Sequence, residues 1–480
     1  MKVLEKPELH AISKVSAILR SISLPFLFHT VHFDAGDGPG LGHLADAFIQ
    51  EQTLCKNITE LRLAYRQALV KPLGDARAPF RISETDAAFF RGIDSSPISC
   101  LTTLVLHNVA LVDLWVRSIF KSQTLRRLHI HACSCDKFTR PFPSTHISEL
   151  VIREPRCDEP EFNALVTFLA RQLEVLEVHN PIYFGDIALP AVFPTTCPRL
   201  RRYVLRVPKE RSGSIVSYLH EFLVRTTTIE DLELGMIFPS NTITLPPSAL
   251  PNLRLYDVML SDGFPATKFI TGPRKKLATL RIRDHFVLSH DLDSVQSFLD
   301  VPYEVSELHL VFRQHLIAEL LPAQVDHGLP KLERLYLNIR ANHLCLLPRD
   351  DPGLCRNCTV LDSNLIGVSE FVNRVKARYP IQEDDDDYSR GTCLHKLEKI
   401  DVEIEVDSIG TTTPHALDEW FHCVVEANCP ALKEVYLRIW KANDQGIEGN
   451  RARLGPRFWA RWRVEVDEHW RYKWGFHLRT

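Results

Sequence analysis

The chain has 480 residues, 45% apolar and 24% charged, an ordinary balance for a soluble globular protein. Its 57 basic and 60 acidic residues give a formal net charge of −3, so no global field draws it to nucleic acid or to a membrane surface. No run of about twenty apolar residues is present to span a bilayer. Met1-Lys2-Val3-Leu4-Glu5-Lys6 has neither the long apolar core nor the small-residue cleavage site of a secretory signal. The twelve cysteines are scattered and read as reduced thiols, which places the expected home in the cytoplasm and/or nucleus.

Residues 7–33 read PELHAISKVSAILRSISLPFLFHTVHF. Ile12, Val15, Leu19 and Ile22 fall at helical spacing, and Pro25 is expected to break that helix. Phe26, Phe28, Val31 and Phe33 follow as an apolar cluster. One reading is an amphipathic cap over whatever comes next. The other is a resemblance to the second half of an F-box, in which V-S-x-x-x-R-x-[IL] leads into L-P-x-L-F-x-T-V. The matching residues are Val15-Ser16, Arg20, Ile22, Leu24-Pro25, Leu27-Phe28 and Thr30-Val31. The first half, L-P-x-E-[IL]-x-x-x-I, is absent apart from Pro7-Glu8-Leu9.

Residues 34–57 form a linker. Asp34-Ala35-Gly36-Asp37-Gly38-Pro39-Gly40 permits turns and lacks the Gly-Lys-Ser/Thr ending of a phosphate loop. A helix around Leu44 to Leu54 is expected after it.

From Ile58 an L-x-x-L-x-L spacing recurs. It is seen at Leu125/Leu128/Ile130, Leu173/Leu176/Val178, Ile229/Leu232/Leu234, Leu277/Leu280/Ile282, Leu332/Leu335/Leu337 and Leu432/Val435/Leu437. About thirteen such cassettes reach Leu437, mostly 22 to 29 residues apart. One alone is weak, but a series of this period is the signature of a leucine-rich solenoid. Intervening segments carry helical patterns at Phe162/Leu165/Val166/Leu169, Ile215/Leu219/Phe222/Leu223, Leu292/Val295/Phe298/Leu299 and Leu417/Trp420/Phe421/Val424. The fold class is therefore α/β: a horseshoe solenoid over 58–450, with parallel strands inside and helices outside. Pro opens several cassettes, at Cys197-Pro198-Arg199-Leu200, Leu250-Pro251-Asn252-Leu253, Leu329-Pro330-Lys331-Leu332 and Cys429-Pro430-Ala431-Leu432.

An insertion at about 341–392 interrupts the array. It holds a helical pattern through Val368, Phe371, Val372 and Val375, and an acidic run, Glu383-Asp384-Asp385-Asp386-Asp387. The run reads as a solvated loop or as a contact for a basic partner. Residues 451–480 hold four of the seven Trp (Trp459, Trp462, Trp470 and Trp474) with eight basic residues against three acidic. They read as an aromatic cap over the last repeat, or as a basic aromatic partner surface.

The C-P-x-L junctions are similar to the cysteine-containing repeats that accompany F-boxes. Together with residues 7–33, the chain resembles fungal F-box/leucine-rich-repeat proteins. That resemblance implies a substrate-recognition subunit of a Skp-cullin-F-box ubiquitin ligase, acting in ubiquitin-dependent protein degradation. Its partners would be a Skp-type adaptor, the cullin scaffold and a protein substrate still to be identified. The implied adaptor-binding residues are Val15, Leu19, Ile22, Leu24, Pro25, Leu27 and Phe28 in segment 1–33. A ligase-independent repeat scaffold that has lost a working F-box is the alternative.

Chemistry is thinly represented. Cys355-x-x-Cys358 has half of a zinc-ribbon spacing, which Cys345 and Cys393 could complete. Cys133-Ser134-Cys135 lies beside His129 and His131, which share a face by strand alternation. Neither set has complete metal-ligand spacing, and no cofactor is expected. No G-x-S-x-G, H-E-x-x-H, phosphate loop or dinucleotide fingerprint is present, so no enzyme is expected.

In each cassette the leucines point inward, and the residues flanking the second and third point to the concave face. The rows are Arg127/His129/His131, Glu149/Val151/Arg153, Val175/Glu177/His179, Arg202/Val204/Arg206, Asp231/Glu233, Leu255/Asp257/Met259, Thr279/Arg281/Arg283, Glu307/His309/Val311, Arg334/Tyr336/Asn338, Lys399/Asp401/Glu403 and Glu434/Tyr436/Arg438. The mosaic of signs suits a protein partner better than nucleic acid. Arg202, Arg206, Asp231, Glu233, Arg281, Arg283, Arg334, Tyr336 and Tyr436 are the candidate substrate contacts.

Overall fold

The computed structural model describes residues 11, 13–35, 57–65, 100–111, 119–135, 145–154, 159–180, 193–194, 197–207, 212–236, 238, 242–259, 269–270, 276–283, 305–313, 332–346, 397–412, 431–441, 458–466 and 472–479. It divides into two compact units, Met1–Ile229 and Glu230–Thr480. The helices expected at Leu44–Leu54, 292–299, 368–375 and 417–424 lie outside the described residues. So do the acidic run, Cys355, Cys358, Cys393 and Cys429.

The first unit contains helix α1 (Ala17–Leu27) and strands β1 (Thr30–Ala35), β2 (Glu60–Tyr65), β3 (Thr103–His107), β4 (Ala110–Leu111), β5 (Arg127–His131), β6 (Ser134–Cys135) and β7 (Glu149–Arg153). Helix α2 (Glu159–Leu169), β8 (Val175–His179), β9 (Arg202–Arg206) and helix α3 (Ser212–Arg225) complete it. Its sheet runs β1-β2-β3-β5-β7-β8-β9 with every pair parallel, and β4 pairs with β6 in a short separate ladder.

The second unit contains β10 (Asp231–Gly235), β11 (Leu255–Met259), β12 (Thr279–Arg283), β13 (Glu307–Arg313), β14 (Arg334–Leu346), β15 (Lys399–Thr412) and β16 (Glu434–Lys441), all parallel. The expected aromatic terminus forms two further strands, β17 (Phe458–Val466) and β18 (Tyr472–Arg479), each antiparallel to its predecessor. β14 pairs with β15 in register as far as Leu344, with a register shift before Leu346, so pairing enters the stretch where the sequence suggests an insertion. Each unit is thus a parallel-strand solenoid, with few helices among the described residues.

The cassettes make strands because their apolar residues alternate. In β5, Leu128 and Ile130 are buried while Arg127, His129 and His131 lie on the open face. Leu150 and Ile152, Leu176 and Val178, Leu232 and Leu234, and Leu280 and Ile282 repeat the pattern. The helical patterns hold where they are described: Leu165, Val166 and Leu169 of α2, and Ile215, Leu219, Phe222 and Leu223 of α3, are buried. Phe222 packs against Tyr203 of β9 with ring centroids 5.0 Å apart, on the side of the strand opposite Arg202 and Arg206. Cys197 is also buried, which holds its thiol up at about 12.

Hydrogen bonds tie each repeat to the next at the same points. Two consecutive N–H groups at each strand start donate to one carbonyl of the repeat before: Arg126 and Arg127 to Thr102, Ser148 and Glu149 to Arg126, Glu174 and Val175 to Ser148, Arg201 and Arg202 to Glu174. The second unit repeats this from Arg254 and Leu255, on Glu230, to Lys433 and Glu434, on Glu398. At the other end of four strands the chain turns through a left-handed residue: Asn108 (φ 57°), Ala132 (φ 49°), Glu154 (φ 47°) and Asn180 (φ 47°). Their N–H groups donate to His131, Arg153, His179 and Arg206 carbonyls at 2.7 to 3.0 Å. Asn tolerates this backbone, whereas Ala132 and Glu154 carry a Cβ clash of roughly 1 kcal/mol each.

One expectation is corrected. Helix α1 does not stop at Pro25. It begins at Ala17, capped by Ser16, whose Oγ accepts from the Leu19 N–H at 3.1 Å, and it runs through Pro25 to Leu27. Pro25 lies in the last turn, where a missing N–H forfeits one helical bond, and the Phe28 N–H still reaches the Leu24 carbonyl at 3.0 Å. Val15 therefore precedes the helix.

Candidate interaction surface

Two surfaces stand out, one on each side of a common requirement: a side chain left at the surface by the pattern that buries its neighbours. The first is on α1. Ile18, Ile22 and Phe26 follow at intervals of four and are 73%, 58% and 64% exposed, with Val15 and Leu19 beside them also exposed. Leu24, Leu27 and Phe28, the other adaptor candidates, are half-buried, and the Pro25 side chain lies outside the described set. Sequence matching to the F-box ending missed Ile18 and Phe26. The four-residue spacing through Ile22 carries the signal that finds them.

The second surface is the open face of the strands. In the first unit the β3–β5–β7–β8–β9 register forms three rows. The strand-start row is Thr103, Arg127, Glu149, Val175, Arg202. The central row is Val105, His129, Val151, Glu177, Val204. The strand-end row is His107, His131, Arg153, His179, Arg206. Arg127 Nε lies 3.0 Å from Glu149, His129 Nε2 3.2 Å from the same carboxylate, and Arg202 3.2 Å from Glu177. The His129 hydrogen bond, with help from Arg127, holds the Glu149 carboxyl below the usual range. His179 does the same for Glu177, helped by Arg202. His131 is also lowered, which for an imidazole favours the neutral form. Burial, then Arg153 and the neighbouring histidines, hold its pKa down to about 4.

In the second unit the central row is Glu233, Asp257, Arg281, His309, Tyr336, Asp401, Tyr436. Arg283 bonds Asp257 and lies 3.6 Å from Glu233. Burial raises Asp257 to about 6 against the attraction of Arg283. Arg438 bonds Asp401 at 2.6 Å, and Lys399 lies 3.4 Å from it. The Lys399 ammonium also stands 4.8 Å from the Tyr436 ring centroid, a cation–π distance. The Tyr436 hydroxyl donates to Glu434 at 2.8 Å. His309 bonds Glu307 and its ring stands 5.1 Å from Tyr336. Burial is the largest influence on His309 and lowers its pKa.

The sequence-chosen contacts distribute unevenly. Arg202, Arg206 and Arg334 are exposed, while Asp231, Glu233, Arg281, Arg283, Tyr336 and Tyr436 are half-buried. Arg202 and Arg206 belong to the first unit and the others to the second. Four residues expected on the open face are buried there: Val151, His179, Val204 and Asp257. Val151 stands in a row between His129 and Glu177, and Asp257 lies beneath the Arg283 guanidinium. His107, Glu177, His309, Lys399, Asp401 and Arg438 complete these networks. Aligning cassettes column by column, rather than choosing charged residues strand by strand, finds them.

Cys133 is buried, and its Sγ lies 3.2 Å from the His131 carbonyl oxygen and 3.5 Å from the Val109 nitrogen, a packing role. Among the described residues no group of three or more His, Cys, Asp or Glu side chains is arranged to hold a metal ion. Nor is any described helix long and apolar enough to cross a membrane. No family model matches the chain, and no curated protein matches it.

Proposed function

We propose that the chain is a protein-interaction module of the substrate-receptor kind, in which α1 docks a Skp-type adaptor of a cullin ubiquitin ligase and the open strand face holds a protein to be modified. The observation that carries this is the uncovered apolar face of α1, with Ile18, Ile22 and Phe26 aligned and exposed beside Val15 and Leu19. An apolar helix stripe next to a solenoid fits a docking element better than a solvated one. Such a receptor needs no catalytic group of its own. It raises the effective concentration of its target near the conjugating enzyme.

The test is capture of the full chain by purified Skp-type adaptor, beside an Ile22→Asp/Phe26→Asp variant. Both side chains are exposed, so the variant keeps its fold. Binding by the native chain and loss in the variant support the receptor. Failure of the native chain to bind leaves a ligase-independent repeat scaffold.

A further inference from the structure

The residues that end β3, β5, β7, β8 and β9 align as one row: His107, His131, Arg153, His179 and Arg206. Every member is basic or an imidazole. At about 4.8 Å per strand the row is roughly 19 Å long. The matching row in the second unit differs: Met259, Arg283, Val311, Asn338, Glu403 and Arg438. There the acids Asp257 and Asp401 bond Arg283 and Arg438. In the first unit the carboxylates Glu149 and Glu177 stand in the other two rows, paired with Arg127, His129, Arg202 and His179. Arg153 and Arg206 are exposed.

We propose that this row binds an extended acidic segment of a partner protein, its Asp or Glu carboxylates meeting Arg153 and Arg206, with His131 and His107 next along the row. The inference rests on the reading of the strand face as a partner surface and not on adaptor docking by α1. Charge complementarity selects an anion. The flanking Glu149 and Glu177 select a chain with acids on one side only, since a nucleic-acid backbone would bring phosphates against them as well.

Geometry also sets a spacing. Arg153 and Arg206 are two strand steps apart, about 9.6 Å. A polyproline-type segment rises about 3.1 Å per residue with three residues per turn, so acids at every third position fall on one side at about 9.3 Å.

The row also responds to protons. His131 is faced by His107 from β3, His129 from its own strand, Arg153 from β7 and His179 from β8, with Glu177 beyond, and it is held neutral near neutral pH. A docked carboxylate offsets the Arg153 cation and favours imidazolium at His131, so binding takes up protons and tightens as pH falls from about 7.5 to about 5.5.

The test uses fluorescence anisotropy of the full chain with labelled Glu-Pro-Pro and Gln-Pro-Pro repeat peptides. The expected result is binding of the Glu peptide alone, several-fold tighter at the lower pH. Arg153→Gln should weaken it at least tenfold, Arg153→Lys should restore most of it, and His131→Gln should remove the gain at low pH. Arg225→Gln, an exposed arginine of α3 away from the strand face, should change nothing. Equal binding of the two peptides, or Arg153→Gln binding like the native chain in a folded state, overturns the proposal. A single-stranded oligonucleotide of equal charge that binds more tightly and displaces the Glu peptide overturns the protein assignment. Adaptor capture without peptide binding sinks this inference alone. Peptide binding without adaptor capture leaves it standing and removes the receptor reading.

Discussion

The guanidinium of Arg283 lies over the carboxylate of Asp257 one strand away, and Asp257 is only 1% exposed. Removing one partner of a buried pair leaves the other uncompensated. Arg283→Met should therefore destabilise the second unit by about 3 kcal/mol. Asp257→Asn should cost much less, because Arg283 keeps Glu233 at 3.6 Å and the expensive buried carboxylate is gone. Urea unfolding of the two variants gives the comparison, and equal losses would contradict it.

The two units should respond oppositely to acid. His131 has its pKa lowered from 6.5 to about 4, so the folded first unit binds fewer protons than the unfolded chain in that window and loses stability as pH falls through it. Glu149 and Glu177, held below their ordinary values, add stability above those values that is lost as they protonate. After allowance for solvent screening, the His131 contribution is about 1–2 kcal/mol. Asp257 is raised from 3.8 to about 6, so its effect has the other sign: stability falls as pH rises through that range. Amide exchange between about pH 6.5 and pH 4, corrected for intrinsic rates, should show protection at Leu128 and Ile130 falling relative to protection at Val258. Parallel loss in both would count against the assignment.

Tyr203 is fully buried, and its hydroxyl has no hydrogen-bond partner among the described residues. Burial raises its pKa far above the usual phenol value. Tyr203→Phe keeps the ring contacts with Phe222 and Phe193 and removes the unsatisfied group. It should stabilise the first unit by about 1 kcal/mol, seen as a rise in Tm.

Arg202→Glu with Arg206→Glu should abolish capture of the partner while changing stability by no more than about 1 kcal/mol, because both side chains are exposed and the Arg202–Glu177 pair is a surface one. Thermal unfolding beside a partner pull-down separates the two effects. Loss of folding would mean that the strand presents its other side chains outward, contrary to the burial of Tyr203 and Leu205.

The strands were legible in the sequence because period-two burial is written directly into L-x-x-L-x-L: Leu128/Ile130 and Leu280/Ile282 are inward, as the spacing requires. Helices α2 and α3 were legible for the matching reason at a period near four. What the pattern does not encode is reach. The direction of Arg283 toward Asp257, the burial of Val151 on the open face, and the continuation of α1 through Pro25 all depend on neighbours distant in sequence or on where in a helix a residue falls. The antiparallel β17 and β18 were hidden for another reason: four Trp dominate that stretch and suggest a cap without specifying its backbone.

The left-handed turns at Asn108, Ala132, Glu154 and Asn180 carry a mechanical consequence. Each gives its N–H to the closing residue of the following strand, while the start of that strand leans on the carbonyl of the residue just before the preceding strand. A repeat in this stretch is therefore fastened at both ends to its neighbours and holds no turn that is its own. Melting one in isolation would break bonds on both sides, so the stretch should come apart like a zipper, from an end inward, with each lost repeat lowering the cost of losing the next.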